Sequence, residues 1–517
     1  MKSNPALRLL LIVVLVQSSF VSLAQKNKVS KTHPNIIYIY AYDLGYGDVS
    51  CYGADKINTP NIDALASSGI RFVNAHSASA TCTPSRFALM TGQYPWRVKG
   101  TGILPGDAAL IIPQDKITLP RLLKNAGYTT GIVGKWHLGL GEQIDKNWNQ
   151  QISPGPNEIG FDYSFIFPAT ADRVPTVFLE NQKVLAFDSL DPIEVSYSKP
   201  VGKDPTGKEH PELLKMKSSP GQGHDQTIVN GIGRIGYMSG GHKARWVDEE
   251  VSLTFLEKAR QFISGNIATN SKDVVAPFFL YFALTEPHVP RMPATTFKGK
   301  SLLGYRGDAI LQLDWTVGEI MREVKSAGIE KNTIIIFTSD NGPVLDDGYV
   351  DDAVVKLNGH KPSGPFRGGK YSVFEGGTRV PFIVSWNGMI KPGMSDALIC
   401  QMDLLASLSQ LTRQSLPDGE TTDSENVLEA LLGKSEKGRS ALVEDAQTLA
   451  IVQGDWKYIL PGDGPPYMKL TNTETGNSPL PQLYNLKNDP GEKYNVAPNY
   501  PEKVLELADL LSVIRKK

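Results

Sequence analysis

Short runs that are apolar at nearly every position alternate along the chain with stretches whose apolar residues recur every three to four positions. Asn35 to Tyr40 (NIIYIY), Ile70 to Val73, Tyr128 to Val133, Pro277 to Leu284, Thr333 to Thr338 and Val380 to Trp386 are runs of the first kind. They are too short for helices and have no polar face, so they predict strands buried on both sides. Between them, Ile57 to Gly69, Leu119 to Leu123 (stopping at Gly127), Leu253 to Ile263, Ile310 to Val324 and Met402 to Leu411 carry helical spacing. Strands of this type alternating with helices predict an α/β fold, a large mixed, mostly parallel sheet sandwiched by helices.

Two regions break the pattern. Gly155 to Trp246 is rich in Gly, Pro, Ser and Lys with little periodicity. It predicts long loops, which in a compact domain often carry recognition. From about Arg439, short runs (Leu449 to Leu460, Leu483 to Leu486) lie between Pro, Gly and Asp turns, and Pro501 to Ile514 is amphipathic. These predict a small α+β domain with an antiparallel sheet. The expected organisation is a main domain over 33–435, with 155–246 as its loop-rich part, and a C-terminal domain over 436–517.

The first 24 residues read as an export signal. Lys2 and Arg8 are basic, Leu9 to Val16 is apolar, and Ser22-Leu23-Ala24 supplies small residues for cleavage. The apolar run falls short of the roughly 20 residues a spanning helix needs, so no membrane anchor is expected and the mature chain is periplasmic or secreted. With 517 residues, 41% hydrophobic, and a net charge of -1, the chain can bury a large core but advertises no field for nucleic acid. An anionic substrate must be met by a local cluster of cations. Three cysteines make no disulfide framework. Cys51 and Cys400 read as ordinary buried thiols, able to pair only if the fold brings them together.

The polar residues matter by position. Open α/β sheets bind ligands outside the carboxyl ends of their strands. Asp43 follows the first predicted strand. Lys135 and His137 (GKWHLG), His288 (TEPHVP) and Asp340-Asn341 (SDNG) each follow another, and Lys370 sits in a glycine-rich loop ahead of the strand near Val380. Carboxylates and an amide suit a hard divalent cation. Lysines, histidines and an arginine suit an oxyanion. Cys82-Thr83-Pro84-Ser85-Arg86 completes the set, with Pro84 able to start a helix whose terminus favours an anion.

The set resembles the sulfatase family of the alkaline-phosphatase-like superfamily. C-T-P-S-R followed by A-L-x-T-G is similar to the first sulfatase signature and G-K-W-H-L-G to the second. The first strand with its Asp, S-D-N-G, and P-F-R-G-G-K with E-G-G-x-R-V-P complete the likeness, from about Pro34 to the chain end. The resemblance implies hydrolysis of sulfate esters on sulfated carbohydrates, of galactose or N-acetylgalactosamine type, in glycan degradation. It implies that a formylglycine-generating maturation enzyme converts Cys82 to formylglycine (3-oxoalanine). It also implies one calcium held by Asp43, Asp340, Asn341 and residue 82. Arg86, Lys135, His137, His288 and Lys370 would line the sulfate pocket. Arg173, His224, His242 and Lys243, in the loop-rich part, are candidate sugar contacts.

One position departs from the family. Two adjacent aspartates are expected after the first strand, and here they read Tyr42-Asp43. A phenol titrates near pH 10, so the cation site loses a formal charge. Weakened calcium binding is the leading expectation. A non-catalytic binder of sulfated glycans is an alternative, and a phosphoryl or phosphonate ester hydrolase of the same superfamily is another.

Overall fold

Strand β1 (Asn35–Ala41) runs through the middle of a ten-stranded sheet and shows how the core is divided. Side chains alternate across a strand. Ile36, Tyr38 and Tyr40 accordingly enter one apolar cluster, and Ile37, Ile39 and Ala41 enter another on the opposite face. Neither face is polar because both are covered, as the sequence pattern predicts. This computed structural model describes residues 33–269, 276–417 and 423–517. The export-signal reading of residues 1–24 lies outside the described residues.

The elements that matter here follow in chain order. After β1 come α1 (Pro60–Ser67), β2 (Gly69–Phe72), α2 (Cys82–Thr91), α3 (Leu119–Asn125) and β3 (Thr129–Lys135). Next are β4 (Tyr163–Phe167), β5 (Leu179–Glu180), β6 (Lys183–Val184), α4 (Val251–Thr269), β7 (Phe278–Ala283) and α5 (Gly304–Ser326). Then follow β8 (Thr333–Ser339), β9 (Phe382–Trp386), β10 (Gly393–Ser395) and α6 (Leu404–Thr412). The chain closes with β11 (Leu442–Ala446), β12 (Thr448–Gln453), β13 (Trp456–Ile459), β14 (Gln482–Asn485) and α7 (Pro501–Lys516).

The main sheet has the order β10-β2-β9-β8-β1-β7-β3-β4-β5-β6. Strands β8, β1, β7, β3 and β4 are parallel to one another, and β9 runs antiparallel beside β8. On one face Phe87 of α2, Leu122 of α3 and Leu405 of α6 join the cluster of Ile36, Tyr38 and Tyr40. On the other face sit Leu65 of α1, Phe255 of α4 and Leu313 of α5. Burying each such side chain contributes about 1.5–3 kcal/mol. Beyond this sheet, β11-β12-β13-β14 form an antiparallel sheet of four strands. Leu507 and Leu511 of α7 join Leu442, Ile451 and Leu483 in one cluster there. The α/β architecture and the small antiparallel sheet are as expected.

Two local expectations change. The loop-rich stretch is not all loop: Tyr163–Phe167 forms a strand of the main sheet, with Phe165 and Phe167 packed beneath Trp246 and Phe255. Its run YSFIF is only five residues long, is interrupted by Ser164 and lies between Asp162 and Pro168, so it does not stand out as an apolar run. The helix near Pro84 starts earlier, at Cys82, with Thr81 as its flanking residue. Pro84 therefore lies inside the first turn, where its missing N–H costs nothing. Cys51, Cys82 and Cys400 are all unpaired. No helix among the described residues is long and apolar enough to cross a membrane.

Candidate active site

The register of the parallel strands brings the site together. Tyr40 pairs level with Ala283 on one side and Thr338 on the other, and Ala283 pairs with Gly134. The carboxyl ends of β1, β7, β8 and β3 thus finish at one edge, where Asp43, His288, Asp340-Asn341 and Lys135 emerge. Because β9 is antiparallel, it is its first residues that lie at this edge, with Phe382 opposite Thr338. That turns the preceding loop, with Lys370, toward the same place. Gly134 permits the close approach: a Cβ there would lie 1.8 Å from the Ala283 carbonyl oxygen.

Asp43 and His137 have left-handed backbones, with φ of 56° and 57°. Non-glycine residues in this region cost energy and cluster at functional sites. Residue 82 is set from behind. The Asp445 N–H donates to the Ala78 carbonyl, and the Ala80 N–H to the Asp445 carbonyl. The edge strand of the small sheet thereby braces the segment leading into α2, all ten residues of which are buried.

Around Cys82 the charged groups interlock. Arg86 donates to Asp340 Oδ2 through Nη2 at 2.8 Å and Nε at 3.2 Å, and through Nη1 to Tyr281 at 3.2 Å. Lys135 Nζ is 3.6 Å from the same Asp340 oxygen. Lys370 Nζ lies 2.9 Å from Asp43 Oδ2 and 2.7 Å from Asp347 Oδ2. The Asn341 amide donates to Asp43 Oδ1 at 2.8 Å, while its own Oδ1 has no partner. Cys82, Arg86, Lys135, His137, His288, Lys370, Asp43, Asp340 and Asn341 are all buried.

Burial and neighbours set the charges. Burial, reinforced by Arg86, pushes Lys135 down to about 7. Burial resists ionisation of Cys82, but Lys135 and Lys370 outweigh it and the thiol is held below its usual value. Burial raises Asp43 to about 7 even against Lys370. For Lys370 burial opposes the charge, yet Asp347 and Asp43 hold it well above the ordinary lysine value. Burial, with Lys135 for His137 and Lys370 for His288, keeps both histidines well below theirs.

Neutral histidines have one donor and one acceptor nitrogen, fixed by their partners. His137 Nε2 lies 2.9 Å from the Leu104 carbonyl and must donate to it, leaving Nδ1 as a buried acceptor with no partner. His288 Nδ1 is 2.6 Å from the Val289 carbonyl, so its Nε2 carries the lone pair.

The sugar candidates divide. Arg173 donates to Thr170 Oγ1 at 2.6 Å and to Asp172, and its charge is felt at both His137 and His288. His224 is buried with Nε2 3.1 Å from Asp172 Oδ2. His242 and Lys243 instead lie exposed, paired with Asp191, Asp204 and Asp188. Asp347 and Asp172 were not singled out in the sequence. Asp347 sits in the acidic run LDDGYVDD, where nothing marks one carboxylate over its neighbours.

The chain's residues 34–414 match the family model described as Sulfatase. The chain belongs to the sulfatase family. It is a hydrolase of sulfate esters. It is 53% identical over 486 residues to an N-acetylgalactosamine-6-O-sulfatase of Bacteroides thetaiotaomicron, covering 94% of this chain and 93% of that protein. It is 30% identical to human arylsulfatase A over 479 residues, covering 90% of this chain and 83% of that protein. A solved Bacteroides thetaiotaomicron structure, described in connection with the metabolism of multiple glycosaminoglycans, superposes with a TM-score of 0.91 at 52% identity. It covers 94% of this chain and 100% of that one.

Proposed function

We propose that this sulfatase removes the 6-sulfate from N-acetylgalactosamine or galactose units of a sulfated glycan, using residue 82 as its nucleophile after conversion to formylglycine. The observation that carries the reading is the similarity to an N-acetylgalactosamine-6-O-sulfatase along 94% of the chain.

Asp43, Asp340 and Asn341 fit a calcium ion in donor type. They are oxygen ligands at one strand edge, and the Asn341 Oδ1 is a buried acceptor left without a partner. With residue 82 they would hold the ion, which supplies Lewis-acid polarisation of a sulfate oxygen when bound. Tyr42 is the one member of the set that does not fit.

The chain's own residues take the remaining roles. Arg86, pinned by Asp340, holds the groups on residue 82. Lys135 and Lys370 meet the sulfate oxygens, and Lys370, kept cationic by two carboxylates, supplies the proton to the leaving sugar oxygen. His288 offers a lone pair at Nε2 and orients that oxygen. His137 Nδ1 accepts the proton whose removal from residue 82 lets sulfate depart. Arg173 and His224, organised by Asp172, face the sugar. Export to the periplasm or beyond, and maturation by a formylglycine-generating enzyme, belong to the same reading.

The test is release of sulfate from 6-sulfated and 4-sulfated N-acetylgalactosamine by purified protein, alongside the intact mass of the peptide carrying residue 82. The expected result is turnover of the 6-sulfate, with that peptide about 18 Da lighter than unmodified cysteine requires. Turnover of the 4-sulfate alone would overturn the regiochemistry. A non-catalytic glycan-binding role is favoured by Tyr42 alone, and sulfated sugar bound without any release would establish it.

A further inference from the structure

Tyr42 stands where the sequence alone suggests only a missing carboxylate. Its side chain does more than omit a charge. The ring stacks on His288 with centroids 3.7 Å apart and planes 9° from parallel. Lys135 Nζ lies 2.9 Å from the ring centre on its other approach. The Arg86 and Lys370 charges are each 5.5 Å from that centre. The hydroxyl points at Cys82 Sγ, 3.5 Å away. The ring therefore fills the middle of the cation-lined space, against the nucleophile position and three cationic side chains.

Those same groups are the ones an oxyanion bound to residue 82 would have to touch. Among them His288 is the most open, at 6% exposure, and Tyr42 itself is at 1%. A ring buried to this degree leaves no room for four sulfate oxygens. Its negative π-face also supplies Lys135 with the partner that a sulfate oxygen would otherwise be. The Lys135 ammonium makes no hydrogen bond, so the ring is what it faces.

We infer that Tyr42 is an internal plug, an aromatic side chain that occupies the sulfate pocket and must be displaced before an anion can reach residue 82. This rests on the sulfatase reading of the pocket given above. It adds that the pocket is self-occluded for steric reasons, separately from any loss of metal affinity. The two effects come apart by substitution. Tyr42→Phe keeps the ring, Tyr42→Ala removes it without adding charge, and Tyr42→Asp removes it and restores a carboxylate.

The experiment uses the full mature chain made without the maturation enzyme, so that residue 82 is still a thiol. Iodoacetate, a small anion whose carbon is attacked by the thiolate with loss of iodide, reports access to the pocket, and peptide mass mapping reads Cys82 separately from Cys51 and Cys400. Inorganic sulfate binding is measured on the same proteins by calorimetry. Displacing a stacked, desolvated ring costs apparent affinity in proportion to the closed population, so Tyr42→Ala should speed alkylation and tighten sulfate by roughly 10-fold or more over the native chain. Tyr42→Phe should match the native chain in both. Calcium chloride titrated alone should bind more tightly only to Tyr42→Asp.

Equal alkylation rates in the native chain and Tyr42→Ala would overturn the plug. Faster alkylation with no sulfate binding in any variant, calcium-loaded Tyr42→Asp included, would overturn the sulfatase reading of the pocket and with it the identity of what is plugged. If Tyr42→Ala does not fold, judged by its thermal transition, Tyr42→Ser replaces it with the same expectations.

Discussion

Two buried charge clusters in this protein use almost the same residue types to opposite ends. At the strand edge, Asp43, Asp347 and His288 place ligand atoms within reach of a single ion, with Lys370 and Lys135 beside them. Under the small antiparallel sheet, His76, Glu375 and Glu444 do the same. There, however, Lys457 Nζ already sits among the carboxylates, 2.7 Å from Glu444, 2.9 Å from Glu375 and 3.6 Å from Glu492. The difference shows in the two lysines. Burial opposes the charge on both, but three glutamates hold Lys457 well above its usual value, whereas burial and Arg86 drive Lys135 down to about 7. In one cluster a lysine of the small sheet already stands where an ion would, and it ties Glu444 of β11 to Glu375 in the segment ahead of β9. The other keeps an ammonium that makes no hydrogen bond and has only the Tyr42 ring and, at 3.6 Å, Asp340 beside it, with a lone pair on His137 Nδ1 and an open Asn341 oxygen, which marks it as a place for something the chain does not supply.

The contrast can be broken in order of expected effect. Cys82→Ala should abolish sulfate release, by roughly 10⁴-fold or more, with little change in unfolding, measured by turnover and urea melts in parallel. Lys135→Met should cost on the order of 10²–10³-fold in turnover while leaving stability within about 1 kcal/mol. Lys457→Met should do the reverse. Leaving the buried carboxylates of Glu375 and Glu444 uncompensated should destabilise the fold by about 3–5 kcal/mol, and activity should fall only as folded protein is lost. If Lys457→Met proves harmless while Lys135→Met unfolds the chain, the assignment of roles is wrong.

A pH series sharpens the same comparison more gently. Burial raises Glu492 from 4.5 to about 8. Between those values the folded chain keeps a proton that the unfolded chain releases, so this group's contribution to stability declines as pH rises through that window. The slope is at most about 1.4 kcal/mol per pH unit, and Glu492→Gln should flatten it in urea melts between pH 5 and 8. The smallest effect concerns the cation. A weakly held ion stabilises little by mass action, so adding a chelator should move the native melting temperature by only about 1–2 °C and that of Tyr42→Asp by more.

The fold was readable where the pattern was strong. The six apolar runs became β1, β2, β3, β7, β8 and β9, and Ile310, Leu313, Val317 and Ile320 are buried along α5 as spaced. Tyr163–Phe167 does not stand out because its run is short, is broken by Ser164 and sits in a stretch rich in Gly, Pro and Ser. The candidate residues of the site were legible because each follows or precedes a strand in a short, distinctive motif. Asp347 and Asp172 were not, since their importance lies in side chains they meet through the fold, Lys370 23 residues from Asp347 and His224 52 residues from Asp172.

By itself the sequence determined the strand order's raw material and the chemistry: which residues lie near strand ends, the C-T-P-S-R and G-K-W-H-L-G motifs, and a tyrosine where a carboxylate belongs. Local propensity and side-chain type are written residue by residue, so they can be read that way. Only the tertiary structure decided what meets what. Strand register levels four chain segments at one edge, and the reversed direction of β9 delivers Lys370. The same packing turns Tyr42 from an absent ligand into a ring lodged between Lys135, His288 and Cys82. With Lys370, whose charge also faces that ring, they join residues as far as 328 positions apart (370 − 42), and neighbourhoods of that kind are set by packing, which no local stretch encodes.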